Sequence, residues 1–279
     1  MKYVSKIPAG AGLTFLYNTA LGRLVLRGLI SCPLSFAIGK FMDSPLSKGI
    51  IPSFIKNNAI DMEEYVKADY KCFNDFFTRK VKEDRRPVDY SPKALIAPCD
   101  GYLSSYRISD GLVIPVKQSG YSIDRLLKDR KLARKYKNGY CLVFRLCVNH
   151  YHRYVYAETG LRTNYRTILG KLHTVRPIAL EKYPVFVENT REYTVIRTKD
   201  KKDIVQMEVG AMLVGKIANN NDKRLAIRGL EKGKFLYGGS TIILLLEEGS
   251  VELPESLLKA TKDNMEVEVK LGENLLTLA

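Results

Sequence analysis

From about residue 95 onward the apolar residues of this chain come in short runs separated by turn-forming residues, and that texture limits its fold more than any other feature. Leu112–Val116, Cys141–Val148, Tyr193–Arg197, Ile204–Val209 and Thr241–Leu246 are each strand-like. They follow one another without the strand–helix alternation of a parallel sheet, and no glycine-rich phosphate-binding motif is present. A single helical interruption is expected over Ile123–Tyr136. Ahead of the strands, Leu13, Leu16, Tyr17, Ala20, Leu21 and Leu24 recur at helical spacing, and Asp61–Tyr70 is expected to form a further helix. The expected class is α+β: an N-terminal helical, membrane-associating region over residues 1–65, then a largely antiparallel β core over 66–279.

Within the helical region, Gly28–Gly39 is uncharged but only about a dozen residues long, and Pro33 interrupts it. A bilayer-crossing helix needs roughly 20 apolar residues, so this segment is not expected to span. No small-residue cleavage pattern closes it as a signal peptide. Two readings stay open. The helices pack as a pair on the core, or they form an amphipathic hairpin at a lipid interface with Arg23, Arg27 and Lys40 toward acidic headgroups.

Charge favours an anionic partner: 45 Lys and Arg against 30 Asp and Glu leave the chain at +15. The basic residues are dispersed, with no basic tract flanked by aromatics, so an acidic phospholipid membrane ranks above nucleic acid, which is not expected to bind. Five cysteines without a CxxC pair point to reduced thiols and a cytosolic setting. Three histidines and scattered cysteines lack ligand spacing, so no metal is expected.

Gly238-Gly239-Ser240-Thr241, placed directly before the apolar run Ile242–Leu246, has two readings. It suits a tight hairpin turn. It also sets a hydroxyl nucleophile behind an unshielded glycyl carbonyl, the arrangement needed for backbone self-cleavage. Elsewhere the chain carries, in order, Phe73-Asn-Asp-Phe-Phe-Thr-Arg79 with Arg86-Pro87, Pro98-Cys-Asp-Gly101, Tyr151-His-Arg153, Gly170-Lys-Leu-His-Thr-Val175 with Pro177, Glu188-Asn-Thr-Arg-Glu192 and Glu208-Val-Gly-Ala-Met-Leu-Val-Gly215. Together with Gly238–Thr241, this ordered set resembles the phosphatidylserine decarboxylase proenzymes, in the prokaryotic form whose cleavage motif reads Gly-Gly-Ser-Thr. The resemblance spans about residues 60 to 250.

The resemblance implies decarboxylation of phosphatidylserine to phosphatidylethanolamine by a covalent pyruvoyl group derived from Ser240. Amino-acid side chains offer no ketone or aldehyde, so such an enzyme needs an electron sink. Cleavage between Gly239 and Ser240 would leave chains 1–239 and 240–279 as a heterodimer, bound peripherally to the cytoplasmic face of the cell membrane. By the same resemblance Asp100 is the acidic member of an Asp-His-Ser self-cleavage triad, and His152 serves decarboxylation as proton donor or substrate contact. Read without the resemblance, Asp100 is a turn residue and His152 a structural one. Arg153 either contacts substrate or pairs with a nearby acid.

One position departs from the family. Three residues after His152, where the family usually carries the histidine base of its triad, this chain has Val155. His150, on the same face as His152 if the strand alternates, is a candidate substitute. His173 and Asp100 itself are others. Two further readings remain: a pyruvoyl-dependent decarboxylase of a soluble amino acid, and an uncleaved lipid-binding homologue without activity.

Overall fold

The computed structural model describes residues 2–6, 10–109, 112–116, 119–199, 202–212, 217–220, 224–237 and 240–278. Its centre is an antiparallel sheet. In spatial order the strands are Lys2–Ser5, Met265–Val269, Gly101–Arg107, Tyr140–Leu146, Ser240–Leu246, Ile204–Val209, Arg191–Arg197, Gly160–Arg162 and Leu225–Ala226. Arg166–Ile168 also pairs with Arg191–Arg197. The α+β class expected from sequence is therefore what the chain adopts.

The Ser240–Leu246 strand lies between Tyr140–Leu146 and Ile204–Val209, and all seven of its residues are buried. That explains a continuous apolar run where a half-exposed strand would alternate. Each fully buried Leu or Ile there contributes roughly 1.5–3 kcal/mol. A second, three-stranded sheet of Ile217–Asn219, Glu231–Phe235 and Arg153–Val155 is tied to the Ile204–Val209 strand through side chains. Gln206 accepts from the Ala157 N–H at 3.1 Å and donates to the Val155 carbonyl at 2.9 Å. A third sheet joins Val251–Glu252, Asn274–Leu278 and Ala94–Ile96.

The N-terminal periodicity resolves into two helices, Ala11–Asn18 and Ala20–Leu29. They divide at Thr19, whose Oγ1 accepts from the Gly22 N–H at 2.9 Å. A Cβ at Gly22 would stand 2.1 Å from the Phe15 carbonyl oxygen, so only glycine fits this join. Tyr17, Leu26 and Ile30 are buried in the main core, while Leu21 and Leu24 are each 63% exposed. A third helix covers Cys32–Met42, with Pro33 tolerated in its first turn. No helix among the described residues is long and apolar enough to cross a membrane.

Two expected helices come out differently. Over Asp61–Tyr70 only a 3-10 turn, Met62–Glu64, forms. The segment pairs instead with residues 80–82, through Val66 N–H to Lys80 O and Lys82 N–H to Glu64 O. The Ile123–Tyr136 helix breaks into Ile123–Leu127 and Arg130–Lys135. Lys128 between them turns to φ +48°, and Asp129 caps the second piece at the Leu132 N–H.

Candidate active site

Three neighbouring strands begin or end together at one end of the main sheet: Gly101 opens one, Leu146 closes the next, and Ser240 opens the third. Ser240 lies opposite Leu146, and Tyr102 opposite Arg145, so Gly101 and Ser240 are two strand spacings apart, roughly 10 Å. A Cβ at Gly101 would meet the Arg145 carbonyl oxygen at 2.9 Å, which accounts for glycine after Asp100.

Asp100 is buried and fully engaged. Arg86 donates from Nε to Oδ1 at 2.8 Å and from Nη2 to Oδ2 at 2.7 Å, and the Leu271 N–H adds 2.9 Å to Oδ1. Arg86 also bonds Glu64 at 2.8 Å, and Lys270 reaches the other Glu64 oxygen at 3.5 Å. Burial works against the Arg86 charge, but the Asp100 and Glu64 carboxylates hold its pKa above the ordinary value. Burial likewise opposes the Glu64 charge; Arg86 and Lys270 outweigh it and lower that pKa.

A cavity of about 200 Å³ opens beside this network, lined by Glu64, Tyr65, Arg86, Asp100, His150 and Lys270 among others. His150 Nδ1 accepts from the Cys147 N–H at 3.1 Å, which leaves the proton of the neutral ring on Nε2. Burial lowers its pKa despite the charge of Asp100. The alternation expected of His150 and His152 does not apply, because the His150 N–H closes a turn on Cys147 O and the strand starts only at Arg153. His150 stands edge-on to Tyr102 at 5.0 Å; His152 packs on Phe77 at 4.0 Å. His152 Nδ1 is 2.9 Å from the His150 carbonyl, and its own carbonyl accepts from Phe235 N–H at 2.9 Å, tying this loop to the strand that approaches Gly238.

Ser240 is completely buried, and its Oγ has no hydrogen-bond partner among the described residues. Gly239 and the Gly239–Ser240 bond lie outside the described residues. Val155 holds its place beside the Asp100 loop by donating its N–H to Pro98 O at 2.9 Å, and it packs in the apolar cluster of Ile96, Tyr151 and Leu271. Arg153 pairs with Glu231 at 2.9 Å and donates to Thr78 O at 2.8 Å; of its two sequence readings, pairing with an acid is what this geometry contains. His173 belongs to a different neighbourhood, between Tyr17 (3.3 Å), Glu188 (3.5 Å) and the stacked ring of Tyr183. Among the described residues no cluster of His, Cys, Asp or Glu is suited to a metal ion.

Sequence reasoning assigned no role to Arg86, Arg79, Glu208 or Lys232, although all but Lys232 fall in the quoted motifs. Arg79 lies over the Tyr65 ring at 4.1 Å and donates to Asn149 O at 3.3 Å, bracing the His150 loop. Glu208 and Lys232 form a fully buried pair at 2.5 Å. Only the ordered motif set could have flagged Arg86, Arg79 and Glu208, and no motif or local spacing points to Lys232.

Comparison with known proteins agrees with the motif set. The phosphatidylserine decarboxylase family profile matches residues 73–277. Phosphatidylserine decarboxylase proenzyme 2 of Clostridium acetobutylicum is 43% identical over 276 residues, covering 98% of this chain and 94% of that protein. The Clostridium beijerinckii proenzyme is 38% identical over 267 residues (94% and 90%), and that of Clostridium tetani 39% over 246 (86% and 83%). A match of this extent, over a fold that brings Asp100 and Ser240 to one sheet end, makes the chain a member of the phosphatidylserine decarboxylase family.

Proposed function

We propose that this protein decarboxylates phosphatidylserine to phosphatidylethanolamine, using a pyruvoyl group that it makes from Ser240 by self-cleavage after Gly239. One observation carries the reading: a serine hydroxyl without a partner among the described residues, fully buried, opens a central strand directly behind the Gly-Gly pair. A buried polar group left so calls for an explanation, and reaction with the preceding carbonyl supplies one.

In this reading Ser240 Oγ attacks the Gly239 carbonyl carbon and the amide becomes an ester. Loss of the Ser240 α-proton then breaks the Cβ–Oγ bond, freeing the Gly239 carboxylate, and the residual enamine hydrolyses to the keto group and ammonia. The pyruvoyl group, once formed, supplies the electron sink for CO₂ loss. His152, held through Nδ1 and against Phe77, is fixed for proton donation or substrate contact. Asp100, saturated by Arg86 and Leu271, anchors the site. Arg153 braces its edge through Glu231, from which it can pass to a substrate anion.

The products 1–239 and 240–279 would stay together. The shorter one supplies Ser240–Leu246 to the middle of the main sheet, and Met265–Val269 and Asn274–Leu278 pair with strands of the longer one. Residues 1–65 serve as the membrane-associating region. Leu21, Leu24 and Val25 are exposed on the helix that carries Arg23 and Arg27, the pattern of a peripheral contact with an acidic membrane surface on its cytoplasmic side.

Intact-mass measurement of wild type and Ser240→Ala tests the first half. Wild type should give a short fragment starting at a blocked position 240, and the variant should stay continuous. Release of CO₂ from carboxyl-labelled phosphatidylserine, lost after borohydride treatment, tests the second. A continuous wild-type chain, or turnover only of soluble amino acids, would overturn the reading.

A further inference from the structure

With valine at the position of the usual histidine, the Ser240 proton needs another acceptor, and strand register narrows the choice. Residues directly opposite in an antiparallel pair share a face, and faces alternate along each strand. Glu208 is opposite Ile242, and Ser240 is two residues before Ile242, so Glu208 and Ser240 project from the same face as diagonal neighbours, at about 7–8 Å. That spacing is within reach of a glutamate side chain. Tyr102 and Arg145 are opposite one another and in register with Thr241, so they project from the other face, and His150 stands against Tyr102 there.

Glu208 is built as few glutamates are. It is fully buried, with Oε2 accepting from Lys232 Nζ at 2.5 Å and from Asn219 Nδ2 at 3.1 Å. Its Oε1 has no hydrogen-bond partner among the described residues. Lys232 is fully buried too, bonded to Asn219 Oδ1 at 3.0 Å and 4.6 Å from the Tyr165 ring centroid.

We propose that Glu208, held by Lys232 and Asn219, is the base that takes the Ser240 Oγ proton in self-cleavage. This rests on the reading that Ser240 attacks Gly239. The proton passes to Oε1 as the Oγ–C bond forms, and the carbonyl π pair moves to oxygen. Collapse restores the carbonyl and breaks the C–N bond, and Glu208 returns the proton to the departing Ser240 nitrogen. Negative charge moves from carboxylate to oxyanion and back, so the net charge of the buried site is constant and Lys232 remains a cation throughout.

The test follows self-cleavage of the full-length chain after cell-free synthesis, by gel and intact mass, in wild type, Ser240→Ala, Glu208→Gln and Glu208→Gln/Lys232→Met. The double variant removes both charges together, which separates loss of the base from stranding of Lys232. Both Glu208 variants should cleave on the order of 10²–10⁴-fold more slowly than wild type, with thermal unfolding as cooperative as that of Ser240→Ala. Wild-type cleavage should slow as pH falls, starting above the ordinary carboxylate range, because burial raises the Glu208 pKa. Cleavage near the wild-type rate in either Glu208 variant, or a wild-type rate independent of pH down to that range, overturns the assignment. If wild type stays continuous, or Ser240→Ala cleaves, the Ser240 reading fails and the base falls with it. Cleavage that needs Ser240 but not Glu208 sinks the base alone.

Discussion

Arg86 and Lys232 are both buried cations facing a carboxylate, yet the two sites are finished differently. Every oxygen of Asp100 has a donor, and Arg86 serves Glu64 as well, beside a cavity that Lys270 and His150 also line. Glu208 is wholly enclosed and leaves Oε1 without a partner among the described residues, on the face that carries Ser240. A saturated network fixes geometry, because any rearrangement breaks several charged hydrogen bonds at once. An unsaturated one retains an acceptor for chemistry. If Glu208 is the base proposed above, the difference leaves framework to the Asp100 end and proton transfer to the Glu208 end.

The largest stability effect should come from the framework. Arg86→Leu removes the cation shared by Asp100 and Glu64, leaving them only the Leu271 N–H and the 3.5 Å contact to Lys270, and breaking a buried pair this way destabilises by about 3–5 kcal/mol. Urea unfolding of the uncleaved Ser240→Ala background measures this without interference from maturation. A loss below about 1 kcal/mol would put the Arg86 network in the class of exposed surface pairs and collapse the contrast. Lys232→Met should fall at the lower end of the 3–5 kcal/mol range, since only one acid is stranded and Glu208, its pKa already raised by burial, can take up a proton.

Neutralising both partners separates the sites further. Glu208→Gln/Lys232→Met should be neutral or stabilising relative to its parent, because an enclosed ion pair repays its desolvation poorly against uncharged groups of similar volume. The matching Arg86→Leu/Asp100→Asn protein should remain destabilised, because Glu64 loses Arg86 and keeps only the 3.5 Å contact to Lys270, although the asparagine oxygen can still accept from the Leu271 N–H. Equal responses in the two doubles would mean that both pairs are structural and that the open oxygen of Glu208 has no special meaning.

How much of this was legible in the sequence follows from the range of the interactions. The Ile242–Leu246 run declares a fully buried strand because burial on both faces writes itself into consecutive apolar residues. Asp61–Tyr70 has helical composition, but its backbone is claimed by residues 80–82, a pairing that leaves no local pattern. The site divides in the same way. Asp100 and Ser240 stand in motifs that the sequence displays, whereas Arg86 with Asp100 and Glu208 with Lys232 meet across 14 and 24 residues. Charge alone cannot select those pairs from 75 ionic side chains (45 plus 30). The assumed alternation of His150 and His152 failed because the turn at Cys147 interrupts the strand.

The smallest effect, and the finest discriminator, is the pH dependence of stability near neutrality. Burial, with the charges of Arg145 and Arg86 added, lowers the His150 pKa, against opposition from Asp100 and Glu268. Burial lowers that of His173 as well. A depressed folded-state pKa means the unfolded chain binds the proton more readily, so the stability is present above the ordinary histidine value of 6.5 and is lost as pH falls through the folded-state values. Glu64 acts in the same direction, but its loss begins only near the ordinary carboxylate value of 4.5. Thermal unfolding of the Ser240→Ala protein should therefore weaken in two windows on acidification. His150→Gln should remove part of the first window, and His150→Gln/His173→Gln a larger part. Neither should touch the second, nor shift the pH dependence of wild-type cleavage if that dependence belongs to Glu208. A cleavage profile that moves with His150→Gln would transfer the proton to the Asp100 end and reverse the division of labour between the two sites.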